Sequence, residues 1–159
     1  MYLSIYDYFD YLQNEQNNTM FFCEICNSKH KGSKIEKIYR PPKILILVFE
    51  WGHGKTFKGK IKFGRSNFEL NLEKYIDERN YKYNTIYKLL SMSIHSGESS
   101  ASGHYTSYCL IDNKNYYYFN DDYVKPVNDL EIDLFDFNDP YILFYERSEK
   151  NEEKNERLR

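Results

Sequence analysis

Apolar residues near the start of the chain recur at the spacing of an α-helix. The positions at i, i+3, i+4 and i+7 share one helical face: Ile5, Tyr8, Phe9 and Leu12. Ser4 and Asp7 stand three residues apart just before this pattern, as a capping pair does. The sequence therefore predicts a short amphipathic helix that begins after Ser4.

Most of the remaining apolar pattern favours strands. A continuous apolar run at 44–49, between Pro42 and Gly52, is typical of a strand buried on both faces and predicts the centre of a sheet. Further strands are predicted at 20–22, 35–39, 61–63, 68–72, 87–94 and 141–145. Polar loops are predicted at 14–18, 52–59 and 77–84. A helical turn is predicted at 72–76 and an extended connection at 128–136. The pattern indicates a β-rich α+β fold.

A predicted hairpin carries the strongest candidate chemistry. Residues 105–111 and 116–119 are rich in aromatic and β-branched residues, and the polar residues 112–115 between them favour a turn. This hairpin would return Asn120 and Asp121 towards His104, which follows a glycine- and serine-rich loop at 97–103. A histidine base needs a partner on its second ring nitrogen, and Asn or Asp can serve. The pattern predicts the base and orienting residues of a nucleophilic site.

The nucleophile of such a site is not evident in the sequence. Cys109 lies five residues after His104 in the same predicted strand, and odd separations along a strand point to opposite faces. We interpret Cys109 as a buried small apolar residue. The other two cysteines, Cys23 and Cys26, form a Cys-x-x-Cys pair, which is half of a tetrahedral zinc site. His30 could be a third ligand, and the alternative is a metal-free pair.

Composition and charge narrow the class of protein. With 159 residues the chain is long enough for one domain with a core. No apolar run approaches the roughly 18 residues of a membrane span, and we find no signal peptide, so we expect an intracellular protein. Residues 29–65 carry eleven Lys or Arg, whereas 112–139 carry eight acids. The basic residues are interleaved with strands and match no nucleic-acid motif, so solvated strand faces explain them better than nucleic-acid binding.

The site region resembles a known family. The residues that carry the resemblance are Gly97, Gly103-His104-Tyr105, Phe119-Asn120-Asp121, Val124 and the closing segment 141–145. In this order and spacing they are similar to the histidine box and final strand of the ubiquitin-specific proteases, which are papain-like cysteine peptidases. Earlier segments, namely 87–89, 42–46 and Cys23 to Cys26, extend the similarity over about residues 3–147.

The resemblance implies a fold and a role for each site residue. It implies the antiparallel palm and fingers sheet of a papain-like peptidase, with His104 as the base and Asn120 and Asp121 as its partners. Gly103 and Tyr105 match positions that line the channel for the ubiquitin tail, and His95 matches a packing or hydrogen-bonding histidine. The family's zinc site would need a second Cys-x-x-Cys upstream of Cys23, which this chain lacks.

The chain also departs from the family. Nothing matches the Gly-Asn-Thr-Cys box of the nucleophile, and 49–51 replaces a usual Leu-Lys-Arg-Phe. We therefore expect residues 1–147 to be the C-terminal part of a catalytic domain, without its N-terminal part, and 148–159 to be a disordered tail. The expected function is cysteine-type deubiquitination by the complete domain, with ubiquitin as partner, no required cofactor and zinc left open. Two alternatives remain: an inactive ubiquitin-binding fragment, and a small zinc- or nucleic-acid-binding module.

Overall fold

The computed structural model describes residues 2–13, 16–49, 60–61, 63–80, 82–99, 102–112, 114–128 and 140–149. It contains one helix, α1 (Ile5–Gln13), and three short 3₁₀ turns at Arg65–Asn67, Glu73–Tyr75 and Glu78–Asn80. The strands are β1 (Tyr2–Leu3), β2 (Gln16–Cys23), β3 (Ser28–Lys34), β4 (Ile44–Val48), β5 (Lys60–Ile61), β6 (Glu69–Asn71), β7 (Ile86–Ser99), β8 (Ser102–Ile111), β9 (Asn115–Asn120), β10 (Tyr123–Val127) and β11 (Pro140–Arg147). The described part is β-rich with antiparallel sheets, which confirms the predicted fold class.

Seven strands form the main sheet. Its order is β10-β9-β8-β7-β11-β4, and β6 pairs with β7. Every pairing in this sheet is antiparallel. The strands β2 and β3 form a separate hairpin, and β1 pairs with β5. The last strand of the described residues, β11, lies inside the sheet between β7 and β4.

The hydrophobic core lies on one face of the main sheet. A cross-strand row on this face joins Leu47, Leu143, Met92, Tyr108 and Tyr118. Side chains of α1 and of the segment 63–76 pack into the same cluster. Its other buried members are Ile5, Phe9, Phe63, Leu70, Leu72, Tyr75, Ile76, Tyr87, Leu89, Val127 and Tyr145. The core therefore joins the N-terminal helix to the strands that carry the predicted site.

The prediction for the apolar run at 44–49 was wrong in two respects. The strand β4 lies at the edge of the main sheet, paired on one side with β11. Its side chains alternate in burial, and Ile44, Ile46 and Val48 are 40%, 52% and 56% exposed. In this chain the continuous apolar run therefore belongs to an edge strand that has apolar side chains on both faces, one of which is exposed to solvent.

Other boundaries also differ from the prediction. Residues 35–39 form no strand apart from an isolated bridge between Ile38 and Ile76, and 16–18 belong to β2 instead of a loop. The predicted loop at 97–103 is shorter, because β7 runs to Ser99 and β8 starts at Ser102. The strand β10 was not predicted. The predicted loop at 52–59, most of the 128–136 connection and residues 150–159 lie outside the described residues.

Candidate active site

His104 is the third residue of β8, and its backbone pairs with Ser96 of β7. On the other side of β8, Ser107 pairs with Phe119 of β9, so continuation of this register places Asn120 opposite Thr106. His104 and Asn120 are then diagonal neighbours on one face of the sheet, within reach of each other's side chains. The His104 Nε2 to Asn120 Oδ1 distance is 2.6 Å. The hairpin thus brings together the two residues that the sequence predicted to meet.

The His104–Asn120 contact defines which ring nitrogen is available for chemistry. A carboxamide oxygen only accepts hydrogen bonds, so Nε2 donates to Oδ1 and carries the proton of the neutral ring. The lone pair of that tautomer lies on Nδ1, which can accept a proton from an incoming thiol. The side chain of His104 is 48% exposed, so a second protein segment can approach it.

Asp121 lies beside this pair without a direct contact. Its Oδ2 is 4.0 Å from His104 Nε2, and its side chain is 81% exposed. Asp121 occupies the turn between β9 and β10 with a φ of 49°, a left-handed conformation that Asn and Asp tolerate. The hydrogen bond to the ring is therefore made by Asn120, and Asp121 lies next to it at the edge of the site.

His95 belongs to an aromatic cluster on the other face of the sheet. It pairs with Tyr105 across β7 and β8, one position from the Ser96–His104 pair, so its side chain and that of His104 point to opposite faces. The His95 ring is 8% exposed and lies 4.5 Å from the Tyr105 ring and 6.3 Å from the Tyr141 ring, measured between centroids. The His95 side chain is therefore packed against aromatic rings. The sequence did not predict that Tyr141 belongs to this cluster.

The same cluster explains two glycines. A Cβ at Gly103 would lie 2.2 Å from His95 Nε2, and one at Gly97 would lie 2.4 Å from the backbone oxygen of Ser102. These distances are far shorter than van der Waals contact. Glycine at position 103 therefore leaves room for the His95 ring, and glycine at position 97 lets the backbones of β7 and β8 approach closely near Ser102.

Cys109 faces away from His104. It pairs with Ser91 and Tyr117, five residues from His104 along β8. Its side chain is half-buried, and this burial raises the pKa of the Cys109 thiol. A raised thiol pKa reduces the thiolate fraction that a nucleophile needs.

With this geometry established, similarity to known proteins decides the family. A family model described as ubiquitin carboxyl-terminal hydrolase matches residues 8–145. The chain belongs to the ubiquitin carboxyl-terminal hydrolase family. Among its relatives, ubiquitin carboxyl-terminal hydrolases 5 and 9 of Arabidopsis thaliana are 29% and 33% identical to it over 133 residues. In each case the match covers 80% of this chain and 14% of the relative, so the chain spans a small part of their length.

Solved structures share the fold of this chain. The SAGA Ubp8/Sgf11/Sus1/Sgf73 DUB module bound to ubiquitin aldehyde contains a chain that matches with a TM-score of 0.65 and 24% identity. This match covers 93% of our chain and 34% of that chain. A second structure of a Ubp8-Sgf11-Sgf73-Sus1 SAGA DUB module has a TM-score of 0.61, 23% identity, and covers 94% and 32%. At 24% and 23% identity, the similarity to these two structures establishes the fold of this chain alone.

The structure also describes Cys23 and Cys26, which the sequence predicted to be half of a zinc site. Cys23 ends β2 and Cys26 lies in the turn that leads to β3. Hydrogen bonds from the Cys26 N–H, the Cys26 thiol and the Ile25 N–H lower the pKa of the Cys23 thiol. His30 Nε2 lies 2.9 Å from Cys26 Sγ. Within the described residues, no three His, Cys, Asp or Glu side chains already stand in an arrangement that could hold a metal ion.

Membrane insertion by a helix finds no support in the described part of the chain. None of the helices there is both long enough and apolar enough to span a bilayer.

Proposed function

We propose that this chain supplies the histidine base and its orienting residues to a thiol-dependent ubiquitin C-terminal hydrolase. The observation that carries the proposal is the 2.6 Å contact between His104 Nε2 and Asn120 Oδ1, which leaves Nδ1 as the basic nitrogen. Membership in the hydrolase family supports the same reaction. The nucleophilic cysteine would come from a segment outside these 159 residues.

In the proposed reaction, His104 Nδ1 takes the proton of that cysteine thiol. The resulting thiolate attacks the carbonyl carbon of the C-terminal glycine of ubiquitin, and the negative charge passes to the carbonyl oxygen. When the C–N bond breaks, the protonated Nδ1 gives its proton to the departing lysine amine. Water then hydrolyses the thioester: Nδ1 accepts the water proton, oxygen bonds to the carbonyl carbon, and the thiolate leaves.

The neighbouring residues fit a channel for an extended peptide tail. Gly103 precedes His104 in β8 and leaves room for the His95 ring, which packs against Tyr105. The Tyr105 ring is 47% exposed and is held by contact with Tyr141, at 5.6 Å between ring centroids. We assign Gly103 and Tyr105 to the substrate channel and His95 to the support of the Tyr105 ring.

A second function, ubiquitin binding without hydrolysis, is favoured by the position of Cys109. The chain has three cysteines, and the one nearest to His104 in sequence points to the opposite face of β8. If the cell produces only these 159 residues, the same surface would bind ubiquitin without cleaving it. An immunoblot of source cells distinguishes the two cases: a band near 19.3 kDa favours binding alone, and a larger band favours hydrolysis.

The catalytic assignment is tested in the protein that the cell makes, with a fluorogenic amide of the ubiquitin C-terminus as substrate. His104→Ala should lower kcat/KM by at least about 100-fold, because general acid–base catalysis contributes that much or more. Cys109→Ser serves as the matched control and should leave kcat/KM unchanged. Retention of full activity by His104→Ala, or its loss in Cys109→Ser, would overturn the proposal.

A further inference from the structure

A cavity of about 410 Å³ lies beside the turn between β8 and β9. Its walls come from three parts of the chain, namely the 3₁₀ turn that begins at Arg65, the start of β9 and the end of β10. Its size falls in the range of small-molecule pockets, roughly 300–1,000 Å³. His104 is seven residues from the end of β8 at Ile111, about 23 Å along the strand, so this cavity is separate from the candidate active site.

One side of the cavity is aromatic and held in place. The rings of Phe68 and Tyr116 contact each other, with centroids 5.0 Å apart and planes inclined by 58°. Both residues are tied to the same residue of β7: the Tyr116 hydroxyl donates to the Leu89 oxygen at 2.6 Å, and the Leu89 N–H donates to the Phe68 oxygen at 2.8 Å. Val127, the cross-strand partner of Tyr116, also lines the cavity. These side chains form an ordered apolar wall against which a flat ring can pack.

Two cationic side chains line the cavity, and each starts from a hydrogen-bonded turn. Arg65 begins a 3₁₀ turn that is closed by two hydrogen bonds: the Asn67 N–H donates to the Gly64 oxygen at 2.8 Å, and the Gly64 N–H donates to Asn67 Oδ1 at 3.0 Å. Lys114 lies in the turn between β8 and β9, where its N–H donates to the Ile111 oxygen at 3.2 Å. The backbone therefore fixes the origin of both side chains at the cavity.

The charge of the lining residues selects the ligand. Among the described residues that line the cavity, Arg65 and Lys114 are positively charged and none is acidic. Asn115 and Asn128 add two carboxamides, which can donate hydrogen bonds. A phosphate monoester carries a charge of about −1.5 to −2 at pH 7, which matches two cations. A guanidinium group binds two phosphate oxygens at once, and an ammonium group binds them as a point charge.

We propose that this cavity binds a small phosphate monoester that carries a flat aromatic ring. The ring packs against Phe68 and Tyr116, and the phosphate group lies at Arg65 and Lys114. A nucleoside monophosphate and an aryl phosphate share this chemistry. The site uses none of the residues assigned to the hydrolase reaction, so it stands or falls independently of that reaction.

The test is titration of the ¹⁵N-labelled protein with phenyl phosphate and with adenosine monophosphate, followed by two-dimensional NMR. Saturable shifts of the Asn115 and Asn128 amide signals are expected, and the ligand that binds more tightly identifies the source of the ring. Inorganic phosphate, which lacks the ring, and benzyl alcohol, which lacks the charge, should each bind at least about 10-fold more weakly than phenyl phosphate. Added salt should weaken the binding of phenyl phosphate and leave that of benzyl alcohol unchanged.

Three variants complete the design. Arg65→Gln and Lys114→Gln should each weaken the binding of phenyl phosphate by about 10-fold, because each removes a charged hydrogen-bond donor. Lys29→Gln, at an exposed position of β3, is the matched control and should bind like wild type. A circular dichroism spectrum equal to that of wild type shows that a variant is folded. Equal affinity in Lys114→Gln and wild type would overturn the proposal, as would equal affinity of wild type for phenyl phosphate and benzyl alcohol, or no saturable shift with either phosphate monoester.

Discussion

At the scale of single residues, the close approach of His95 to Gly103 predicts that a side chain at position 103 destabilises the fold. Gly103→Ala would place a methyl group 2.2 Å from His95 Nε2 and 2.8 Å from the Ser96 backbone oxygen. Such overpacking costs about 1–3 kcal/mol of unfolding free energy. Gly64→Ala is the control, because no atom lies within 4 Å of a Cβ there and its backbone is extended.

Urea denaturation of both variants measures this difference. Gly103→Ala should shift the midpoint downwards, and Gly64→Ala should stay within about 0.5 kcal/mol of wild type. Addition of His95→Ala to Gly103→Ala should recover part of the loss, since the Ser96 contact remains. Equal stability of the two single variants would show that the His95 ring moves aside without cost.

At the scale of elements, the helix α1 is where the sequence was most informative. The predicted capping pair is present: the Asp7 N–H donates to Ser4 Oγ at 3.1 Å, and the Ser4 N–H donates to Asp7 Oδ2 at 2.6 Å. Ser4→Ala should therefore lower the unfolding free energy by about 1 kcal/mol, measured by thermal or urea unfolding. Ser66→Ala, at an exposed position, should change it by less than about 0.5 kcal/mol. A cap without effect would indicate that packing of Ile5 and Phe9 alone fixes the helix.

The strands show which parts of the fold the sequence could predict and which it could not. Caps and hairpin turns are local, so α1 and the hairpin that joins His104 to Asn120 were predicted. Two properties of β4 are not local: its place at the edge depends on its pairing with β11, and the exposure of Ile46 depends on what packs against that face of the sheet. Glycines suggested a loop at 97–103, although backbone pairing continues to Ser99 and Ser102. The contact of Tyr141 with His95 likewise depends on the pairing of β11 with β7.

At the scale of the whole molecule, the two faces of the main sheet differ. One face carries the core, whereas the other carries a row formed by Val48, Ile142, Ser93, Ser107, Phe119 and Val124. Val48 and Val124 at the ends of this row are 56% and 50% exposed. The middle of this row is formed by the small side chains of Ser93 and Ser107. Because such a face favours association, low protein concentration is appropriate for stability measurements on the isolated chain.

Four tyrosine hydroxyls hold distant parts of the molecule together, and their ionisation predicts an alkaline limit to stability. Tyr75 donates to Asp10 at 2.9 Å, Tyr87 to the Pro42 oxygen at 2.6 Å, Tyr116 to the Leu89 oxygen at 2.6 Å, and Tyr145 to the Asn67 oxygen at 2.8 Å. Burial raises the pKa of Tyr75, Tyr87 and Tyr116 to about 12, and raises that of Tyr145 further. The unfolded chain loses these protons near pH 10.

Between pH 10 and 12 these tyrosines therefore hold more protons in the folded state than in the unfolded state, so their contribution to the unfolding free energy should be constant below pH 10 and fall above it. Each tyrosine contributes up to about 1.4 kcal/mol per pH unit to this slope. Tyr116→Phe should make the slope shallower by up to that amount, while also lowering stability at neutral pH because the Leu89 oxygen loses its donor. Tyr123→Phe, at a position 58% exposed, is the matched control and should leave both unchanged. Urea unfolding at a series of pH values measures the slope, and an identical slope in Tyr116→Phe and wild type would mean that the Tyr116 hydroxyl ionises without opening the fold.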